Sequence, residues 1–198
     1  MTTGRPAAGA GRPPGQVRII GGRYRRTPVP VAQHPGLRPT PDRVRETLFN
    51  WLGQDLTGWQ VIDVFAGTGV LGLEAVSRGA SRVQSFEQDA ELVRRIRALA
   101  EKLQAQALSV VRGDGLSLLR SVPAASAQLV LLDPPFEANL WEPALKAAAL
   151  ALADPGYIYL EAPRAWDDDR LLDLGLQVQR QGKAGAVHFH LIGRRQSA

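Results

Sequence analysis

Four acidic residues stand at or just beyond the end of short apolar runs of strand type: Asp63 after QVI, Glu87 after RVQSF, Asp114 after SVVRG and Asp133 after LVLL. Because the carboxyl ends of parallel strands meet at one edge of a sheet, these four side chains would line one crevice. Carboxylates accept hydrogen bonds and carry negative charge. Such a crevice suits a ligand rich in hydroxyl, amino or ammonium groups.

The last of these acids opens the segment Asp133-Pro134-Pro135-Phe136. One interpretation is a simple strand-ending turn, since proline stops strand pairing and aspartate tolerates turns. The other is chemical. The exocyclic amine of a nucleobase is a weak nucleophile, and the Asp133 carboxylate and Pro134 carbonyl could accept its hydrogens in a loop stiffened by two prolines. Phe136 could then stack on an extruded base.

A glycine loop follows the first of these strands. Gly67, Gly69 and Gly72 in DVFAGTGVLG form a G-x-G-x-x-G pattern between a predicted strand and a predicted helix. Alone, this pattern is weak evidence, since a dinucleotide site or a simple tight turn would also fit it. Asp63 distinguishes the ligands, because a pyrophosphate would meet its negative charge in a partly desolvated cleft. S-adenosylmethionine, which carries an ammonium and a sulfonium, would be attracted to it.

The other two acids fit the same cofactor. Glu87 lies twenty residues after Gly67, where a carboxylate that accepts the ribose hydroxyls is expected. Asp114 could accept from the adenine amino group. It suits a turn aspartate between two glycines just as well.

Charge is distributed unevenly along the 198 residues. Residues 1–45 contain nine arginines and one acid, Asp42, whereas residues 46–198 contain 15 basic and 18 acidic residues. The net charge is therefore +8 in the first part and −3 in the second, which together give the net charge of +5. A basic segment on a mildly acidic body predicts binding to a polyanion, most plausibly a nucleic acid.

Several classes of site are not supported by the composition. The absence of cysteine excludes disulfides and cysteine-ligated zinc. His188 and His190 alternate as strand residues and have no neighbouring acids in the sequence, so we predict no metal site. The N-terminus lacks the apolar core of a signal peptide, and the most apolar stretch, residues 144–153, is half the length of a membrane span and contains Lys146. We expect a cytoplasmic monomer with no membrane contact.

The pattern of elements predicts an α/β fold. Residues 1–15 read as a disordered basic tail, and residues 16–36 as a basic β-hairpin whose strands meet at the Gly21-Gly22 turn. From residue 37 to residue 198, predicted strands and helices alternate, which indicates a doubly wound, mostly parallel sheet with an antiparallel ending. Its first helix would have Thr40 as N-cap and Pro41 in the first helical position.

Five segments carry a resemblance to a known family. RPTPDRVRETLFNWL, DVFAGTGVLGLEAVSRGA, FEQD, GDG and LVLLDPPF, in this order and spacing, resemble the RsmD family of bacterial 16S ribosomal RNA (guanine-N2)-methyltransferases over about residues 17–163. The resemblance implies a Rossmann-like class I S-adenosylmethionine-dependent methyltransferase fold. It also implies that the substrate is a guanine amino group of 16S rRNA, within the small ribosomal subunit or an assembly intermediate.

The predicted site residues fall into three sets, in which the roles of Arg38, Thr40 and the individual RNA-binding arginines are what the resemblance implies. The catalytic set is Asp133, Pro134, Pro135 and Phe136. The cofactor-binding set is Arg38, Thr40, Asp63, Phe65, Ala66, Gly67, Thr68, Gly69, Glu87, Gln88, Asp114 and Gly115. The RNA-binding set is Arg18, Arg23, Arg25, Arg26 and Arg43.

Two other functions fit parts of the pattern. An adenine-N6 methyltransferase on RNA or DNA would use the same Asp-Pro-Pro-Phe segment, although a chain of 198 residues has no room for a large target-recognition domain. A non-catalytic RNA-binding protein could have the same fold. Binding of S-adenosylmethionine would distinguish this last alternative, since a pure RNA binder need not hold the cofactor.

Overall fold

The computed structural model describes residues 15–33 and 37–195. Residues 1–14 of the predicted tail, and His34 with its two following residues, lie outside the described residues, as do the last three. The described part contains a two-stranded hairpin and a seven-stranded sheet. Among these residues, no helix is long and apolar enough to cross a membrane.

The large sheet has the strand order β5-β4-β3-β6-β7-β9-β8. Its strands are β3 (Gln60–Asp63), β4 (Arg82–Glu87), β5 (Leu108–Arg112), β6 (Ala127–Leu132), β7 (Leu152–Ala162), β8 (Leu176–Ala184) and β9 (Val187–Arg194). The first five are parallel, and β9 pairs antiparallel with both β7 and β8. This confirms the predicted doubly wound sheet with its antiparallel ending. The strand order reverses beside β3, where such folds form their ligand crevice.

In the part of the chain that the structure describes, six helices accompany the strands: α1 (Asp42–Trp51), α2 (Val70–Ser77), α3 (Ala90–Lys102), α4 (Gly115–Arg120), α5 (Trp141–Ala151) and α6 (Asp168–Leu171). Two short 3-10 turns, Phe136–Ala138 and Leu172–Leu174, complete the set. Apolar side chains cover both faces of the sheet. One core contains Leu48 of α1, Leu73 of α2 and Leu131 of β6, and the other contains Leu132 of β6 and Leu145 of α5.

The N-terminal hairpin is present, but its turn is not the predicted one. Strands β1 (Gln16–Arg18) and β2 (Pro28–Pro30) pair antiparallel, and the connection between them spans residues 19–27. Gly21 and Gly22 lie inside this connection, with Gly22 at a φ of +70°. The longer loop forms because Ile19 and Tyr24 turn inward and join the core shared with α1 and α2.

The start of α1 also differs from the prediction. The helix begins at Asp42 with Pro41 as its N-cap residue, and no side chain caps it. The Thr40 hydroxyl instead donates to Glu161 Oε1 of β7 at 2.6 Å. The Thr40 hydroxyl binds Glu161 instead of a backbone N–H of α1, because Glu161 presents a buried carboxylate acceptor close to the helix start.

Candidate active site

The glycine loop connects β3 to α2 at the carboxyl end of the sheet. Gly67 and Gly69 have φ values of +53° and +74°, in the left-handed region that favours glycine. Glu87, at the end of β4, holds this loop, since its Oε2 accepts from the Gly67 N–H at 2.8 Å. Its Oε1 accepts from the Asp89 N–H at 2.8 Å. Each oxygen keeps a further lone pair for a ligand hydroxyl.

Asp63 ends β3 and is almost fully buried, with 2% of the residue exposed. Its Oδ2 accepts from the Gly72 N–H at 3.1 Å and from the Ser85 hydroxyl at 3.4 Å. Burial raises the pKa of this carboxyl from 3.8 to about 7, the two hydrogen bonds oppose this, and the nearby charge of Glu87 adds to it. Asp63 therefore stabilises the start of α2 through the Gly72 N–H. Its contact with a ligand ammonium stays a prediction.

Asp114 and Gly115 lie where β5 passes into α4. Asp114 is the N-cap of this helix and accepts from the Ser117 N–H at 2.8 Å. The Ser117 side chain, and then its backbone N–H, lower the pKa of Asp114. Gly115 packs so tightly on β3 that a Cβ atom there would lie 2.1 Å from the Val64 carbonyl oxygen. Asp114 thus has the local structural role of a residue that ends a turn and caps a helix. Its carboxylate is exposed, and a contact with an adenine amino group stays a prediction.

The remaining residues of the predicted cofactor set surround the same loop or lead to it. Phe65 is half-buried, and Ala66 and Thr68 are buried beside the glycines. Gln88 is exposed immediately after Glu87. Arg38 is exposed in the segment before α1. No described contact links Arg38 to the loop, so its contact with the cofactor stays a prediction.

Asp133 follows the last residue of β6 and is half-buried. Within residues 15–33 and 37–195, it accepts no hydrogen bond from any donor. Since no fully buried side-chain oxygen in this part lacks a partner, both Asp133 oxygens reach the surface. Burial, and then the neighbouring charges of Glu161 and Asp63, raise the pKa of Asp133 well above its ordinary value. This carboxylate is available to a ligand.

The loop after Asp133 presents an aromatic surface. Pro134 is buried and Pro135 is exposed. The Phe136 ring is 40% exposed, although it rests against Trp141 with ring centroids 5.9 Å apart. Trp141 is itself fixed, since its indole N–H donates to the Glu161 carbonyl at 2.9 Å. Phe136 therefore has one supported side and one side open to a base.

Glu161, at the carboxyl end of β7, is a buried acid that the sequence analysis did not select. Its Oε1 accepts from both the Thr40 hydroxyl and the Tyr159 hydroxyl, at 2.6 and 2.8 Å. Burial raises its pKa despite these two donors. The signal that could have found it is the one that identified Asp63 and Glu87, namely an acid that ends an apolar strand, here YIYLE.

A buried arginine connects this edge of the sheet to the hairpin. The Arg45 guanidinium of α1 is fully buried and donates to the Thr40 carbonyl at 2.6 Å and to the Arg18 carbonyl at 2.5 Å. It also pairs with Glu74 of α2 at 3.3 Å, and Glu74 pairs in turn with Arg78. The hairpin is thereby fixed to the segment that holds Thr40.

The five predicted RNA-binding arginines are all exposed: Arg18, Arg23, Arg25, Arg26 and Arg43. The hairpin loop that carries three of them lies against the end of α2, where the Arg23 N–H donates to the Ser77 carbonyl at 2.7 Å. Because α2 starts at the glycine loop, one helix of eight residues, about 12 Å long, separates these arginines from the crevice. A ligand that touches both must be large.

A cavity of about 360 Å³ opens on the side of Trp141. Its lining includes Trp166 and the cationic side chains of Arg164 and Arg170. The Arg170 guanidinium lies over the Trp166 ring, 3.7 Å from its centroid. Glu142 also lines the cavity, 3.9 Å from the Arg170 guanidinium, so the lining contains both signs of charge. Within the described residues, no group of histidines and acids could hold a metal ion.

A doubly wound sheet that reverses at β3, with a glycine loop held by an acid and an Asp-Pro-Pro-Phe loop, defines the Rossmann-like class I methyltransferase fold. Solved structures with this fold include a SAM dependent methyltransferase from Aquifex aeolicus, which is 16% identical and has a TM-score of 0.56 over 78% of this chain and 93% of that one. At this identity the likeness concerns the fold alone.

Closer comparisons show the family. The model of Conserved hypothetical protein 95 matches residues 17–193, and the chain belongs to this family. Ribosomal RNA small subunit methyltransferase D of Escherichia coli is 41% identical over 182 residues, which are 91% of each chain. Its namesake from Haemophilus influenzae is 40% identical over 66% of this chain and 69% of its own.

The yhhF protein of Escherichia coli has a solved structure with a TM-score of 0.77 and 36% identity, over 92% of this chain and all of that one. The resemblance noted in the sequence is confirmed by these comparisons.

Proposed function

We propose that this protein transfers a methyl group from S-adenosylmethionine to the N2 amino group of a guanine in 16S rRNA. The observation that carries the proposal is Asp133, a carboxylate at the mouth of the crevice without a donor among the described residues. The relatives named as ribosomal RNA small subunit methyltransferases support the substrate class. The predicted setting is a cytoplasmic monomer that acts on the small subunit or an assembly intermediate.

The residues of the crevice fit S-adenosylmethionine. Glu87 already orients the glycine loop and can accept ribose hydroxyls with its remaining lone pairs. Asp63 and Asp114 add acceptors for the ammonium and the adenine amino group. At Gly67, a Cβ atom would lie 3.0 Å from the Leu37 side chain and φ is +53°, so this position of the loop favours glycine. When bound, the cofactor supplies an electrophilic methyl group.

Asp133 and Pro134 would hold the amine that receives this group. The amine lone pair is delocalised into the base ring, so acceptors on its two hydrogens are needed to orient it. The Asp133 carboxylate and the Pro134 carbonyl are such acceptors, and the rigid prolines hold them in place before the substrate arrives. The N2 nitrogen forms a bond to the methyl carbon as the carbon–sulfur bond breaks. The amine then loses one proton, which the Asp133 carboxylate would accept.

The rest of the substrate would be held outside the crevice. Phe136 offers the open side of its ring to an extruded base, a contact worth about 1–3 kcal/mol in stacking sites. The exposed arginines of the hairpin would contact phosphates about one helix length away. A folded RNA or a ribosomal particle spans such a distance, whereas a free nucleotide does not.

The proposal is tested by incubating the purified protein and labelled S-adenosylmethionine with small ribosomal subunits from cells that lack this enzyme. We expect label in 16S rRNA, recovered as N2-methylguanosine after digestion and mass analysis. Label recovered as N6-methyladenosine would favour the adenine alternative. Failure to bind S-adenosylmethionine would favour a non-catalytic RNA-binding protein and refute the proposal.

A further inference from the structure

Glu161 lies next to Asp133 across the sheet. Strands β6 and β7 are parallel, and Leu132 is opposite Leu160. The residues that follow them, Asp133 and Glu161, are therefore neighbours as well. Two residues earlier, Leu131 and Tyr159 share the core on the α1 and α2 side. Side chains alternate along strands, and neighbouring strands are about 4.8 Å apart. The two carboxyl groups therefore stand side by side on one face, and their charges influence each other.

The two oxygens of Glu161 have different environments. Both hydroxyl donors, from Thr40 and Tyr159, bind Oε1. No residue in the described ranges donates to Oε2. Since no fully buried side-chain oxygen in these ranges is without a partner, Oε2 is not fully enclosed. The hydroxyls thus fix the side chain through one oxygen and leave the other, on the strand beside Asp133, without a protein donor in these ranges.

Two adjacent acceptors suit guanine better than adenine. Guanine has the N1–H donor directly beside its N2 amine, whereas adenine has the N1 lone pair beside its N6 amine. A carboxylate that faces an N1–H gains a charge-assisted hydrogen bond. The same carboxylate facing a lone pair is left unsatisfied and repelled, which is how polar sites reject a wrong substrate most strongly.

We propose that Glu161 is a specificity-determining residue, whose Oε2 accepts the N1–H of the target guanine while Asp133 holds the amine. This inference rests on the proposed function. It assigns to the chain a chemical reason for choosing guanine over adenine. Thr40 and Tyr159 are then positioning residues, because they set the direction of Oε2 without touching the base.

The test uses 2-aminopurine in place of the target guanosine of 16S rRNA, once that nucleotide has been mapped. This base keeps the amine at C2 but has a lone pair at N1 and no O6. The kcat/KM for rRNA with 2-aminopurine is compared with the kcat/KM for rRNA with guanine, first for the parent protein and then for Glu161→Gln. The amide of this variant can donate where Oε2 accepts. Loss of O6 affects both proteins equally, so it cancels when the two preferences are compared.

The parent should prefer guanine by on the order of ten- to a hundred-fold, the usual effect of one hydrogen bond to a charged group. Glu161→Gln should abolish or reverse this preference, while its thermal stability is no lower than that of the parent and its S-adenosylmethionine affinity stays near the parental value. Glu101→Gln, at an exposed position on α3, is the control and should keep the parental preference.

The same preference in the parent and in Glu161→Gln would overturn the inference and leave the proposed function intact. No methyl transfer to guanine by the parent would overturn both. If Glu161→Gln does not fold, Tyr159→Phe removes one donor from Oε1 at constant shape and should lower the preference several-fold. Equal kcat/KM values of the parent for guanine and 2-aminopurine would also overturn the inference, without any variant.

Discussion

Replacing Asp63 by asparagine should change how stability depends on pH. Burial raises the pKa of Asp63 from 3.8 to about 7 in the folded protein. Between these two values the folded protein keeps a proton that the unfolded chain releases, so the contribution of Asp63 to stability falls as pH rises through this range. Each pKa unit corresponds to about 1.4 kcal/mol, which gives about 4 kcal/mol for the whole range as an upper value. Above pH 7 the unfavourable contribution is complete.

The Asp63→Asn side chain can still accept from the Gly72 N–H and donate to Ser85, without the cost of a buried charge. The free energies of unfolding of parent and variant, measured with urea, should therefore be close at pH 4 and diverge toward pH 8, with the variant more stable. The exposed Asp173→Asn is the control and should show no such divergence. A difference between parent and Asp63→Asn that stays constant with pH would refute this reasoning. If Asp63 also attracts the cofactor ammonium, the more stable variant should bind S-adenosylmethionine more weakly.

Three further perturbations address the scaffold, the RNA surface and the cofactor. Arg45→Met should lower the free energy of unfolding by about 3 kcal/mol, since it leaves buried Glu74 with one cation fewer; urea denaturation measures this, and Arg43→Met on the exposed side of the same helix should cost little. Alanine at Arg23, Arg25 and Arg26 should weaken RNA binding and reduce its salt dependence, with S-adenosylmethionine affinity unchanged; the same result from alanine at exposed Arg94, Arg120 and Arg180 would mean that only net charge matters. Glu87→Ala should weaken S-adenosylmethionine binding in calorimetry by about 1–3 kcal/mol, whereas an affinity equal to that of the Glu101→Ala control would contradict its role.

The parts of the fold that depend on local pattern were predictable from the sequence. The alternation of apolar strands and helices gave the sheet, because each element must bury its own apolar face. The glycine loop and the acids Glu87 and Asp133 follow the same logic, since each stands at the end of a strand. The glycine loop and these acids lie at the same edge of the sheet because the strands that carry them are parallel.

The parts that depend on tertiary partners were not predictable in this way. Thr40 looks like an N-cap by type, but its hydroxyl binds Glu161, which is 121 residues away in the chain. Gly21 and Gly22 look like a hairpin turn, yet the inward packing of Ile19 and Tyr24 makes them part of a longer loop. The Arg45 network joins residues from the hairpin, α1 and α2 that no local pattern connects.

The central claim, that Asp133 acts on the target amine, is tested most directly by methyl transfer to small ribosomal subunits by Asp133→Ala. Removal of one preorganised polar group in such sites lowers the rate about a hundred- to a thousand-fold, while the melting temperature should be no lower than that of the parent and S-adenosylmethionine affinity should match the parent and the Asp173→Ala control. Asp133→Asn should retain more activity, since its amide oxygen still accepts one hydrogen. Parental activity in Asp133→Ala would contradict the claim, and loss of folding in this variant would make the segment a strand-ending turn.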